Sequence, residues 1–453
     1  SAASDVYKRQ RALTPTTSTQ EHKLNFLEED QSFNGYEDGP RTKLKLDADN
    51  RPKVSLWGVL KSMVGKDLTK IAIPVSFNEP SSMLQRVSED YEYGYLLTHA
   101  STLSDSTLRM LYVAVFTAAP YASTINRVAK PFNPMLGETY EFTDKSREFR
   151  FVTEQVSHHP PICATMGETP RWDFYGESNV DSKFNGRSFN IKHLGKWFVH
   201  MRPDGDATRE EVYSFMKPDN SVIGILVGKP EVDNVGSCRI DNHTTGDYCI
   251  LNYRARGWTM AGAYEVRGEV YDREGKKRWV LGGHWNEAIY AKKCLNSDSD
   301  NESANESQLL ETEKDTLPSG VNEPRYDGSK FLVWRANKRQ TGVVPFNLTK
   351  YAVQLNDDNP HLLEWVAPTD ARRRPDQRAM EEGRYDDAAE EKYRLEEKQR
   401  KVRKQREQEG VEWDPKWFSR DVHPVTGDQY WRFTRDYWRN RASHKWDACD
   451  DIF

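Results

Sequence analysis

The stretch "REFRFVTEQVSHHPP", Arg147–Pro161, decides how the chain is read. Its first part reads as a β-strand and ends in two adjacent histidines set against two adjacent prolines. Outward from it, short strand-like runs follow one another to Trp285: WDFYGES, RSFNIK, EEVYSFM, SVIGILVG, CRIDNH, YCILNY, AYEVRGEVYD and KRWVLGGHW. Many alternate polar with apolar residues, and Gly, Asp, Asn or Pro separates them. So many strands without intervening helices predict a meandering antiparallel sheet that curls towards a barrel, wide enough inside to hold a ligand.

Helical patterns flank this region. In SLWGVLKSMVGKDL (Ser55–Leu68) the residues Leu56, Trp57, Val59, Leu60, Met63, Val64 and Leu68 recur at helical spacing, with Lys61, Lys66 and Lys70 between them. This short amphipathic helix reads either as an element docked on the core or as a mobile, membrane-touching lid. A helix over about Ser82–Thr98 and another over about Thr107–Arg127 follow, the second apolar nearly all round, buried, and kinked at Pro120. After the strands, Asn296–Gly328 is acidic and rich in Ser and Asn, a disordered interruption. FLVWRAN and YAVQLN resume the strand pattern, Asp386–Gln408 is a long charged helix, and Trp413–Phe453 is aromatic-rich and packs back on the domain.

The expected organisation is therefore α+β. Residues 1–50 form a disordered leader, whose first ten residues, SAASDVYKRQ, look extraneous. A single domain then covers 51–453: a lid region at 51–75, a helical segment at 76–145, barrel strands at 146–295, the insertion at 296–328, further strands at 329–366 and a C-terminal subdomain at 367–453. A net charge of -5 argues against a dominant nucleic-acid surface. Cys163, Cys238, Cys249, Cys294 and Cys449 are odd in number and lack CxxC spacing, which fits reduced thiols in a cytosolic protein better than a disulfide framework or zinc site. The N-x-S/T triplets at Asn242, Asn301, Asn305 and Asn347 carry no weight without a secretory signal, and no apolar run is long enough to span a bilayer.

His158 and His159 admit several readings. Neighbours on a strand point to opposite faces, so one metal ion cannot easily take both rings, and no HExxH motif is present. Ser157 is adjacent, but no GxSxG elbow surrounds it, which argues against a histidine-activated nucleophile. At a strand end, however, both rings can converge on an anion. Pro160 and Pro161 stiffen the backbone behind them, and a phosphate would favour the charged imidazolium. Two satisfied histidines closing a strand remain an equally open reading.

EQVSHHPP (Glu154–Pro161) is also the fingerprint of the oxysterol-binding protein family, matched over all eight residues. KPFNPMLGETYE (Lys130–Glu141), APTDARRRPDQRAMEEG (Ala367–Gly383) and KYRLEEKQR (Lys392–Arg400) resemble further family segments in the family's order. The resemblance runs from about Ser55 to the C-terminus. No pleckstrin-homology domain, ankyrin repeat or FFAT-type tether is recognised, as in a short member or an isolated lipid-binding domain.

The resemblance implies an incomplete antiparallel β-barrel enclosing a lipid tunnel, closed by an N-terminal lid. It implies no enzyme activity, cofactor or metal. It implies extraction of phosphatidylinositol 4-phosphate, exchanged between membranes for a sterol or, alternatively, for phosphatidylserine. A lipid sensor or scaffold without net transfer, or a phosphoinositide hydrolase using the histidines, are the other readings. Headgroup residues by motif are Lys130, Asn133, His158, His159, Lys392 and Arg400, with Glu396 orienting the two helix cations. Trp57, Leu60, Met63 and Val64 would cap the lipid. The expected setting is cytoplasmic, peripheral at anionic organelle membranes or contact sites.

Overall fold

A computed structural model describes residues 27–66, 73–295, 308–312 and 323–453. Two short strands, β1 (Asn78–Ser82) and β2 (Lys130–Phe132), pair in parallel. Fourteen more build one sheet whose pairings are all antiparallel: β3 (Thr139–Asp144), β4 (Phe149–His158), β5 (Pro161–Glu168), β6 (Trp172–Phe184), β7 (Phe189–His193), β8 (Lys196–Met201), β9 (Glu211–Met216), β10 (Asp219–Ile223), β11 (Glu231–Asn242), β12 (Tyr248–Tyr253), β13 (Glu265–Tyr271), β14 (Lys277–His284), β15 (Ala288–Lys293) and β16 (Phe331–Arg335). The long strands β6 and β11 each serve two neighbours on one side. The first half of β6 pairs with β8 and its second half with β7, while β11 takes β10 and then β9. The end strands β3 and β16 do not meet, so the barrel is incomplete. The β3 edge is capped where Thr139 N–H donates to Thr369 O at 2.9 Å, which spares that edge from open pairing groups.

Helix α1 (Leu56–Leu60) precedes the sheet, and α2 (Met83–Ser88), α3 (Tyr95–Thr102) and α4 (Ser106–Ala118) lead into it. Asp105 caps α4 by accepting from Thr107 N at 2.9 Å, and nearly every side chain of α4 is buried against β12, β13, β14 and β16. The expected Ser82–Thr98 helix is two helices. The chain turns at Gly94, where a Cβ would lie 2.9 Å from the Trp172 ring. Pro120 does not kink α4 but opens a separate 3-10 turn, Ala119–Thr124. The segment expected to be helical, 76–145, also contains β1, β2 and β3.

YAVQLN is not a strand. Thr349 caps a helical turn, α5 (Lys350–Val353), by accepting from Ala352 N at 3.0 Å. After α6 (Pro360–Leu363) come α7 (Pro375–Glu381) and the long α8 (Tyr385–Glu409), which ends at Gly410 in the left-handed region. A hairpin, β17 (Phe418–Val422) with β18 (Gln429–Phe433), and α9 (Asp436–Ala442) close the chain. Trp417, Phe418, Phe433, Tyr437 and Trp438 form a cluster on Val152, Val156 and Ala164, so the aromatic tail does pack back on the barrel.

Residues 27–50, expected to be disordered, are a strap bound to the domain. Leu27 and Leu44 are buried. Arg41 donates to Val353 O at 2.6 Å and pairs with Glu381, and Arg441 holds Glu141 while donating to Gln31 O and Asn34 O. Within the acidic insertion, Leu309 packs on Ala288, Tyr290 and Leu332. The expected leader 1–10, Leu68 and Lys70 of the lid, and most of 296–322 lie outside the described residues.

Arg127 is fully buried between Glu79 (2.8 Å) and Glu89 (2.6 Å) and ties α2 to the segment before β2. Arg127→Met would remove the better buried of the two cations on these carboxylates and leave them to Arg86, 3.0 Å from Glu79 and 3.5 Å from Glu89. Denaturant unfolding should show a loss of about 3–5 kcal/mol; unchanged stability would mean that the pair is not structural.

Candidate functional site

Four distant segments meet at a cavity of about 280 Å³. β2 and the turn after it bring Lys130, Phe132, Asn133 and Met135. The β4–β5 turn brings His158 and His159. The start of α7 brings Arg374, and one face of α8 brings Lys392, Glu396, Gln399, Arg400 and Arg403. Thus all seven residues expected at the headgroup site line one cavity. Arg374, Gln399 and Arg403 line it as well, and were missed. Helical spacing held the signal for two of them, since Gln399 lies three residues after Glu396 and Arg403 three after Arg400.

The histidines converge because β4 ends at them. His158 pairs with Pro161 across a two-residue turn, and the ring centroids are 4.4 Å apart. His158 is held by α8: Gln399 Nε2 donates to His158 Nε2 at 2.7 Å, and Gln399 Oε1 accepts from Leu136 N at 2.9 Å. That second bond sets the amide's orientation, so His158 carries its proton on Nδ1. Nδ1 is buried without a hydrogen-bond partner. Burial, then the nearby His159 and Arg403, hold the His158 pKa down to about 4. With no anion beside it His158 is therefore a neutral N–H donor at physiological pH; the expected charged imidazolium concerns the site with a phosphate bound.

The cations differ in their engagement. Arg374 is fully buried, donating to Asp376, to Glu138 at 3.0 Å and to Asn133 O at 2.8 Å. It fixes the turn that carries Asn133, whose own side chain is exposed. Lys392 Nζ donates to Ile73 O at 2.7 Å and lies 3.9 Å from Glu396; burial lowers its pKa. Arg400 is half exposed and pairs with Glu397. Glu396 thus reaches Lys392 only, not both helix cations as expected. Lys130 is placed by the parallel β1–β2 pairing, with Asn78 Nδ2 donating to Lys130 O at 3.0 Å. Glu154, which opens the EQVSHHPP run, points to the other side. It accepts from Lys416 N (2.7 Å) and Trp417 N (2.9 Å), seating the C-terminal aromatic segment.

The lid residues do not line this cavity. Leu60 is buried on Phe184 and Ile225, Met63 packs beside it, Trp57 leans on Phe184 at 6.1 Å, and Val64 is exposed. Ser55 caps the helix by accepting from Gly58 N at 3.2 Å, and the chain turns away at Gly65. Among the described residues no cluster of His, Cys, Asp and Glu could hold a metal ion, and no helix is long and apolar enough to cross a membrane.

The chain belongs to the oxysterol-binding protein family, whose pattern matches residues 55–442. It is 58% identical over 443 residues to "Oxysterol-binding protein homolog 1" of Saccharomyces cerevisiae, an alignment that covers 98% of this chain and 36% of that protein. The chain thus spans about a third of that relative's length. Among solved structures it is similar to the Osh1 ORD domain in complex with ergosterol: TM-score 0.88, 55% identity, covering 96% of this chain and 100% of that one. It is also similar to the Osh3 ORD in complex with PI(4)P from Saccharomyces cerevisiae: TM-score 0.72, 25% identity, covering 92% and 99%.

The folded-state pKa of His158 lies below its unfolded value of about 6.5, so the unfolded chain takes up a proton that the native site refuses. Stability should therefore fall as pH drops from about 6.5 towards 4. In His158→Asn the slope of unfolding free energy against pH should be shallower there, by up to about 1.4 kcal/mol per pH unit. An unchanged slope would show that His158 titrates normally.

Proposed function

We propose that the protein binds and transfers lipids, taking phosphatidylinositol 4-phosphate by its headgroup at the cavity and a sterol inside the barrel, and exchanging them between membranes. The observation that carries this reading is the convergence of Lys130, Asn133, His158, His159, Lys392 and Arg400, from three separated segments, on one cavity. A phosphorylated headgroup needs several donors at once, and charge-assisted bonds to phosphate are the strong ones. In this reading Lys130 and Lys392 act as point charges and Arg400 as a planar fork. His158 offers its unpartnered Nδ1–H, and Glu396 steadies Lys392.

The solved complexes of similar domains support both ligands: ergosterol in the Osh1 domain and PI(4)P in the Osh3 domain. The first favours a sterol over phosphatidylserine as the neutral lipid. Inside the barrel Tyr121 stands edge-on to Tyr253 (5.9 Å) and Trp285 (6.2 Å). The two hydroxyls and the indole N–H are buried without hydrogen-bond partners, so a lipid hydroxyl would find both donors and acceptors there.

The energetics need no covalent step. Exposing roughly 400 Å² of lipid to water would cost on the order of 10 kcal/mol at about 25 cal/mol per Å². Passing it from bilayer to a closed apolar interior avoids most of that, so headgroup contacts decide which lipid is held. The lid helix α1 would close over the lipid. The Lys392–Ile73 bond ties the chain just after the lid to the headgroup site.

In a two-vesicle assay, the double change His158→Ala with His159→Ala should cut phosphatidylinositol 4-phosphate extraction by about tenfold or more while sparing sterol pickup, as loss of charge-assisted or buried hydrogen bonds implies. Undiminished phosphoinositide extraction would refute the headgroup assignment. Release of inorganic phosphate would indicate a hydrolase instead.

A further inference from the structure

The hairpin β17–β18 lies against the barrel wall, with β18 over β5 and β6. Alternation along β6 and β8 sends Phe174, Trp197 and Val199 into the main core and turns Tyr175, Phe198 and His200 outward, under the hairpin. His423, the residue after β17, drops into this outer pocket. It is 1% exposed, its ring stacked on Phe198 at 4.2 Å and set at an angle to Tyr430 at 5.0 Å.

The hydrogen-bond partners fix the protons in this pocket. His423 Nδ1 accepts from Val425 N at 3.2 Å and Thr426 N at 3.3 Å, the pattern that Asn242 Oδ1 makes with Thr244 N and Thr245 N. His423 therefore carries its proton on Nε2, which donates to Tyr175 Oη at 2.7 Å. The Tyr175 hydroxyl then donates to His200 Nε2 at 2.6 Å, and His200 Nδ1 donates to Glu210. Despite burial, which raises it, His200 and then Arg202 hold the Glu210 carboxyl down to about 2. Such a chain has no place for another proton. One added at His200 Nε2 leaves the Tyr175 hydroxyl facing two donors, and one added at His423 Nδ1 meets two backbone N–H groups. Glu210 balances a charge on His200, but Asp428, the carboxylate facing His423, is held by Lys196 at 2.8 Å. The other charged or titratable groups around the pocket are also engaged: Asp173 with Arg202 at 3.0 Å, Glu177 with Arg420 at 3.9 Å, and His243 with Ser214 Oγ at 2.6 Å.

We infer that the His423–Tyr175–His200 chain is an acid-sensitive latch holding the β17–β18 hairpin on the barrel. The closed hairpin refuses a proton that the open one takes up. Burial, then His200, keep the His423 pKa down to about 3 in the closed form, against about 6.5 for a solvated imidazole. Closure therefore weakens as pH falls from about 6.5 towards 3. What the hairpin covers gives the latch a consequence. Phe418 and Phe433 pack with Trp417 on Val152, Val156 and Ala164 of β4 and β5, the strands whose turn carries His158 and His159. Opening the hairpin removes the outer support of that turn, whichever lipid the protein holds.

The test is hydrogen–deuterium exchange of residues 417–434 by mass spectrometry, corrected for intrinsic rates, with peptides from β12, β13 and β14 as the reference. In the wild type the hairpin's opening constant should rise by up to about tenfold per pH unit below about pH 6, the dependence set by a single proton, while the reference strands stay protected. In His423→Asn the amide oxygen accepts the same two N–H groups and keeps the turn, so the hairpin should open more readily at neutral pH and lose most of that slope. Tyr175→Phe, which breaks the chain without removing a histidine, should raise the opening constant at neutral pH by about fivefold or more. A wild-type opening constant indifferent to pH, a slope in His423→Asn equal to the wild type's, or hairpin amides that exchange only together with β12, β13 and β14 would overturn the latch.

Discussion

The site depends on Arg374. This buried guanidinium joins Asp376 on its own helix to Glu138 and to the carbonyl of Asn133, about 240 residues earlier. Together with the bond from Leu136 N to Gln399 Oε1, it joins the turn after β2 to the helix pair α7–α8. A buried charge of this kind adds little to stability relative to an apolar substitute, but removing one member strands the others at a cost of several kcal/mol. What it provides is register: it sets which face of α8 looks at the β4–β5 turn. Arg372, on Asp370 and Glu141 O, and Arg441, on Glu141, repeat the device along the same seam. The run of arginines in ARRRPDQR is thus structural at Arg372 and Arg374, while the cations facing the cavity from α8 are separate residues.

That division explains the electrostatics of the cavity. Its arginine with saturated partners is buried, whereas Lys392 is bonded to a backbone carbonyl and stands 3.9 Å from Glu396. Burial lowers the pKa of Lys392 and holds that of His158 down to about 4. Both shifts come first from burial; His159 and Arg403 add to it at His158, whereas Glu396 and Asp376 oppose it at Lys392, so an incoming dianion offsets a desolvation cost already present in the fold. Gln399 adds direction: by occupying Nε2 of His158 it turns the protonated nitrogen away from α8 and leaves that donor without a protein partner.

Much of this was legible in the sequence, for identifiable reasons. The strands from Phe149 to Trp285 were readable because turn residues punctuate short apolar runs, and α8 because its 25 residues are rich in Glu, Lys, Arg, Gln and Ala and hold no Gly or Pro. YAVQLN misled because β-branched and aromatic residues also suit a buried helical turn, and Thr349 caps one there. Residues 27–50 looked disordered from composition alone. Their partners, Glu381 for Arg41 and Arg441 for the Gln31 and Asn34 carbonyls, lie hundreds of residues away. Local reading cannot see such pairings. The same limit hid Arg374, whose position in the cavity wall follows from Glu138 and not from its neighbours, and it left the lid's docking site on Phe184 and Ile225 unforeseen.

The most direct measurement is nitrogen-15 NMR of the imidazoles at neutral pH, with and without a soluble-chain phosphatidylinositol 4-phosphate. The free protein should show His158 neutral with its proton on Nδ1, and ligand should shift that proton downfield as it gains a phosphate oxygen, with His159 perturbed alongside. A His158 that carries its proton on Nε2, or two imidazoles indifferent to the ligand, would contradict a headgroup site built from these residues.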